Sequence, residues 1–141
     1  MNPTDTAFRL GHSQQSPPFS LLGTYVHLKD GGAAASLAGG PEFWSAIEKR
    51  PEGQTGRLVL TTRMEKDMPQ WEMHPAGDEL LVALSGAFEV VLQDGAGDRS
   101  IELSQGQAFL VPFGTWHRIR VKNPGEILFM TPGKGSQHRQ L

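Results

Sequence analysis

The sequence predicts an all-β domain, and three observations carry that expectation. Glycine and proline are abundant, 17 and 10 among 141 residues, and they fall between short apolar runs rather than inside long ones. Several runs alternate at a period of two. In 57–64, for example, Leu58, Leu60, Thr62 and Met64 fall on one side and Arg57, Val59, Thr61 and Arg63 on the other. The runs are also short and evenly spaced, the pattern of a sandwich or barrel.

Taken in order, residues 1–20 are polar, carry Pro3, Pro17 and Pro18, and are expected to form an arm. Residues 22–29 read as a first strand and 30–40, rich in small residues, as a loop. A short helix is expected over 41–50. Pro41 suits its first position, Phe43, Trp44 and Ile47 would share one face, Lys49 and Arg50 suit its C-terminal end, and Pro51 stops it. Strands follow at 57–64 and 70–74. Those at 79–84 and 87–93 flank a tight turn at Ser85-Gly86, and a hairpin loop at 94–98 follows. The runs 99–103, 108–111, 115–122 and 126–131 complete the set. The resulting organisation is an arm over 1–20, one β domain over 21–132 and a polar surface tail over 133–141.

Length and composition bound the function. A chain of 141 residues suits one domain, which buries about 68% of its unfolded surface. The formal net charge is -2 and the longest basic run is Lys49-Arg50, so nucleic acid is not an expected partner. There is no cysteine, which excludes disulfides and thiolate metal sites and leaves His, Asp and Glu as ligands. The N-terminus lacks a basic region followed by an apolar run. No apolar stretch reaches the roughly 18 residues that span a bilayer. No membrane partner and a cytoplasmic location are the expectations.

Two segments carry the chemistry: Glu72-Met73-His74-Pro75-Ala76-Gly77-Asp78-Glu79, closed by Gly86, and the stretch from Gly106 through Pro112 and Gly114 to His117. Residues two apart on a strand share a face, so Glu72 and His74 project together. The 75–78 turn then lets an antiparallel return bring Glu79 beside His74. In the second segment Ile119 and Val121 mark the apolar, inward face, which they share with His117, while Trp116, Arg118 and Arg120 face out.

These segments resemble the motifs of the cupin superfamily. The first motif, G-x5-H-x-H-x(3,4)-E-x6-G, is met in spacing by Glu72-x-His74-x4-Glu79-x6-Gly86. The second, G-x5-P-x-G-x2-H-x3-N, is met by Gly106, Pro112, Gly114 and His117. The chain departs at Lys66 and Val121, neither a ligand position in the family, and at Glu72, which replaces the first histidine. The resemblance implies an all-β cupin jelly-roll barrel with one short N-terminal helix. It implies metal ligands at His74, Glu79 and His117, with Glu72 as a substituted fourth, and it points to a homodimer, which edge strands and the arm also favour.

Two histidines and a carboxylate with open positions suit a divalent ion such as Fe, Mn, Ni or Zn. If Glu72 also ligates, two carboxylates cancel the ion's charge and the site is formally neutral, which weakens its attraction for anionic substrates. Alternatively Glu72 stays outside the first coordination shell as a catalytic general base. Without metal, Glu72 and Glu79 would crowd each other, and one is expected to take up a proton. A metal-free, hydrogen-bonded polar core is the alternative to a metal site.

His12, His27 and His138 lie outside the motifs and read as surface or packing residues. Trp71 and Trp116 either line the pocket mouth or pack outward. Leu81, Ala83, Phe109 and Phe129 either line or fill the pocket. Gly77, Gly86, Gly106 and Gly114 read as turn positions with unusual backbone angles. Gly95 and Gly97 belong to a hairpin, with no helix after them to make a phosphate site. No nucleophile–base pair supports serine-hydrolase chemistry.

Three functions follow. The first is a metal-dependent enzyme, oxygenase or isomerase/lyase in type, acting on a small organic molecule. The second is a non-catalytic module that binds a small ligand, and the third an inert scaffold. Fold alone does not choose among them.

Overall fold

The computed structural model describes residues 17–141; residues 1–16 of the arm expected over 1–20, His12 among them, lie outside the described residues. The described chain forms β1 (Thr24–Leu28), β2 (Ala34–Ala38), the helix α1 (Phe43–Ile47) and a 3-10 turn at Pro51–Gly53. It continues through β3 (Arg57–Met64), β4 (Gln70–Met73), β5 (Glu79–Ala83), β6 (Ala87–Asp94) and β7 (Gly97–Ser104). It ends with β8 (Ala108–Val111), β9 (His117–Asn123), β10 (Gly125–Pro132) and β11 (Gln137–Gln140). The strands make two antiparallel sheets, β2-β1-β3-β10-β5-β8 and β11-β4-β9-β6-β7, which face each other as a jelly roll.

The core lies between the sheets. Leu81, Ala83, Val111 and Ile127 come from the first sheet, and Phe88, Val90, Leu92, Leu103 and Ile119 from the second. Each large apolar side chain buried here contributes about 1.5–3 kcal/mol. A second cluster, Tyr25, Phe43, Ile47, Leu58 and Leu60, closes one end under α1. Phe43 meets Tyr25 edge to face, with ring centres 4.8 Å apart.

Several expectations change. The expected loop over 30–40 contains β2, which pairs with β1 from Thr24↔Ala38 to Leu28↔Ala34. Its small residues carry little β signal, and it forms as an edge strand templated by β1. Trp44 does not share the buried face of α1. Phe43 and Ile47, four apart, are buried, whereas Trp44 lies about 100° around the helix and is 51% exposed. The polar tail stays exposed but includes β11, which pairs with β4 from Gln137↔Met73 to Gln140↔Gln70. The 75–78 turn is not a hairpin return within one sheet, because it carries the chain from β4 in the second sheet to β5 in the first.

The step from β5 to β6 also changes sheets, and it requires glycine. Gly86 has φ +78, and a Cβ there would sit 2.6 Å from the Asn123 carbonyl oxygen. Gly77, expected to be similar, lacks a positive φ.

The outward face of the first sheet is apolar. Val59, Met130, Leu80 and Leu110 align across β3, β10, β5 and β8, and Thr61, Leu128, Val82 and Ala108 form the adjacent row. Leu110 is 58% exposed.

Candidate metal centre

Glu72 lies on β4 directly opposite His117 on β9, so the pleat aims both between the sheets. His74 follows the end of β4, and Glu79 opens β5 in the facing sheet. The connecting loops are tied together: the Gly114 N–H donates to the His74 carbonyl at 2.9 Å, and the Phe113 N–H donates to Asp78 Oδ1 at 2.9 Å. These bonds join the two motif segments at the mouth of the site.

All four sequence-predicted residues meet here, each offering one donor atom within 4.8 Å of the others. Glu79 and His117 are fully buried, His74 is buried, and the Glu72 side chain is 16% exposed. His117 Nε2 lies 3.0 Å from Glu79 Oε1 and 3.4 Å from Glu72 Oε1. His74 Nε2 lies 3.2 Å from Glu79 Oε2 and 3.5 Å from Glu72 Oε1.

The other ring nitrogens face outward partners. His117 Nδ1 is 2.9 Å from the Thr115 carbonyl oxygen, which can only accept, so Nδ1 carries a proton. His74 Nδ1 is 2.8 Å from Ser136 Oγ. The Thr131 hydroxyl donates to Glu79 Oε2 at 2.6 Å. His138, expected on the surface, is 41% exposed, but its Nε2 lies 3.7 Å from Glu72 Oε2. Motif reasoning missed Thr131, Ser136 and His138. Alternation along β10 marks Thr131 as inward with Ile127 and Phe129, whereas nothing in the tail's composition marks Ser136.

The flanking tryptophans pack on the outer side of the second sheet. Trp71 is buried with the Arg118 guanidinium 5.9 Å from its ring centre, and Trp116 carries the Arg139 guanidinium at 4.5 Å. Leu81 and Ala83 are wholly buried and fill the core. His27 lies outside the centre, buried, with Nε2 2.7 Å from the Thr55 carbonyl oxygen.

Electrostatics correct the expectation that a carboxyl would hold a proton. Burial works against charge on Glu72, but the adjacent His117 and His74 imidazoles outweigh it and bring its pKa down to about 2. Glu79 is lowered in the same way, despite burial and the nearby Glu72 charge. Burial likewise opposes charge on the imidazoles, yet the two carboxylates raise His74 to about 9 and His117 to about 10. Without metal, the protons sit on the histidines.

The donor set fits a divalent ion. His74 Nε2 is buried with no aligned hydrogen-bond partner, although two carboxylates lie around it. Two carboxylate charges converge on two imidazoles, so either two protons or one dication balances the site.

The chain matches a family model described as a cupin domain, Cupin_2, over residues 59–131, more than half of its length. No curated protein matches it. Among solved structures it is similar to a cupin-2 domain containing protein from Shewanella frigidimarina, at 21% identity and a TM-score of 0.47 over 54% of this chain and 70% of that one. A cupin protein from Bacteroides fragilis matches at 22% identity and a TM-score of 0.48, over 57% and 69% of the two chains. Hydroquinone 1,2-dioxygenase from Sphingomonas sp. TTNP3 matches at 23% identity and a TM-score of 0.46, over 53% of this chain and 58% of the dioxygenase, less than two thirds of its length.

Proposed function

The chain belongs to the Cupin_2 family of cupin domains, and on that premise we propose that it is a metal-dependent enzyme acting on a small organic molecule. In this reading His74, Glu79, His117 and Glu72 hold one divalent ion of the Fe, Mn, Ni or Zn type, and the reaction is an oxygenation or an isomerase/lyase step. The convergence of the four donor atoms within 4.8 Å carries the reading. When bound, the ion supplies Lewis acidity.

The chain's own residues do the rest. His117 and Glu79 are buried in the core and define the inner side of the centre. Glu72 forms the side nearest solvent, with Oε1 toward the imidazoles and Oε2 toward His138. One oxygen can hold the site while the other accepts a substrate proton. The paired carboxylates make the occupied centre formally neutral, which favours uncharged substrates over strongly anionic ones. We also infer a cytoplasmic homodimer joined through the outward apolar face of the first sheet, with neither nucleic acid nor membrane as partner.

A non-catalytic ligand-binding module is the second reading. It is favoured by the burial of three of the four candidate ligands, which leaves Glu72 as the most exposed.

The test is the metal content of protein purified without chelator, before and after incubation with Fe(II), Mn(II), Ni(II) and Zn(II). One ion per chain supports the reading, and failure to retain any of the four ions overturns it. Stoichiometric metal with thermal stabilisation by a metabolite but no turnover would favour the second reading.

A further inference from the structure

The C-terminal strand approaches the candidate centre from outside. After Pro132 the chain turns through Gly133–Gly135, with the Ser136 N–H donating to the Gly133 carbonyl at 3.2 Å and Gly135 at φ +73. It then runs back along the free edge of β4, where His138 pairs opposite Glu72 and Arg139 opposite Trp71. Arg139 anchors the strand: its guanidinium stacks on Trp116 and donates to Gln93 Oε1. This turn and anchored strand place Ser136 Oγ beside His74 Nδ1.

The hydroxyl has one proton and two lone pairs. It donates that proton to the Pro132 carbonyl oxygen at 3.2 Å. Its lone pairs are then left for His74 Nδ1 at 2.8 Å, which must be the N–H. Once the imidazole is neutral, its free lone pair therefore sits on Nε2, which faces Glu72 and Glu79. His117 reaches the same arrangement through the Thr115 carbonyl. The two histidines thus differ in how they are set: a backbone oxygen orients His117, and a single side chain orients His74.

We propose that Ser136 is a positioning residue that selects the metal-facing nitrogen of His74, which makes the C-terminal strand a working part of the metal centre. The proposal rests on the metal reading of this site. Groups that orient a metal-ligating histidine through its second nitrogen alter metal affinity by about 10–100-fold.

The experiment measures zinc affinity by competition with a chromogenic chelator for wild type, Ser136→Ala, Ser136→Thr and Arg139→Ala. Ser136→Ala should bind zinc about 10–100-fold more weakly. Ser136→Thr, which keeps the hydroxyl, should stay within about threefold of wild type. Arg139→Ala, which keeps Ser136 but frees its strand, should also weaken binding and serves if Ser136→Ala fails to fold. In the zinc-loaded wild type, nitrogen-15 NMR should place the His74 proton on Nδ1. Unchanged affinity in Ser136→Ala, or a proton on Nε2, overturns the role of Ser136 while leaving the metal reading intact. Wild-type protein that takes up no zinc or other divalent ion overturns both.

Discussion

Glu72 and His117 stand directly opposite each other in the antiparallel register of β4 and β9, with Oε1 and Nε2 3.4 Å apart. The position that departs from the usual cupin histidine is thus locked to the most deeply buried histidine of the site.

This pairing makes the charge of the centre adjustable at one residue. Glu72→His should retain the divalent ion and change the occupied site from neutral to a single positive charge. Its affinity for a small anion such as azide or formate should then rise by about tenfold or more, about 1.4 kcal/mol. Calorimetric titration of metal-loaded wild type and variant checks this, and equal anion affinities would place Glu72 outside the first coordination shell.

His117→Ala removes the innermost candidate ligand and leaves the carboxylate of Glu79 buried with one partner fewer. The variant should lose stoichiometric metal and also lose about 3–5 kcal/mol of stability in the metal-free state, the usual cost of breaking a buried ion pair. Elemental analysis and urea denaturation measure the two effects separately.

Metal and protons compete for the same imidazoles. With His74 and His117 raised to about 9 and about 10, both are protonated near neutral pH in the metal-free protein. Binding one ion near pH 7 should release close to two protons, and affinity should rise about 100-fold per pH unit between pH 6 and 8. Calorimetry in buffers of different ionisation enthalpy counts the protons; release of none would show that the ion does not displace them.

The metal-free fold should show the opposite trend. The raised histidines stabilise it fully below their ordinary 6.5, and that contribution disappears as pH rises through about 9 and 10. Glu72 contributes above its ordinary 4.5, and that contribution fades as pH falls through about 2. Melting temperatures of chelator-treated protein should therefore peak between about pH 4.5 and 6.5.

Leu128 and Met130 lie amid the outward apolar rows of the first sheet. Leu128→Glu places a charge within that face and should convert a dimer to a monomer on light scattering, with little change in the metal-free melting curve. A wild type that is monomeric at tens of micromolar would remove the homodimer from the functional reading.

The convergence of the four candidate side chains was largely legible in the sequence because they obey strand periodicity. The alternation that paired Leu58 with Leu60 predicted β3, and the inward run of His117, Ile119 and Val121 aimed the histidine correctly. The failures have physical causes. β2 and β11 are edge strands of small or polar residues that acquire structure from β1 and β4, so their own patterns are silent. Trp44 looked buried beside Phe43, but it lies about 100° around α1 and faces away from the core. Ser136 depends on where a turn and a cross-strand register deliver it, and Glu79 reaches His74 from the opposite sheet.

The placement of the ligands on both sheets has a consequence in time. Glu72 and His117 meet across β4 and β9, while Glu79 arrives only when the other sheet closes and packs Leu81 against Phe88 and Ile119. Contacts between such distant parts of the chain form after the entropy of closing long loops has been overcome. If the four side chains hold an ion, the complete set assembles only as the jelly roll closes. A chain made in metal-poor conditions should reach the same architecture with its two histidines protonated. A chelator should therefore empty the protein without melting it, and repeated cycles of stripping and refilling should leave the fold unchanged.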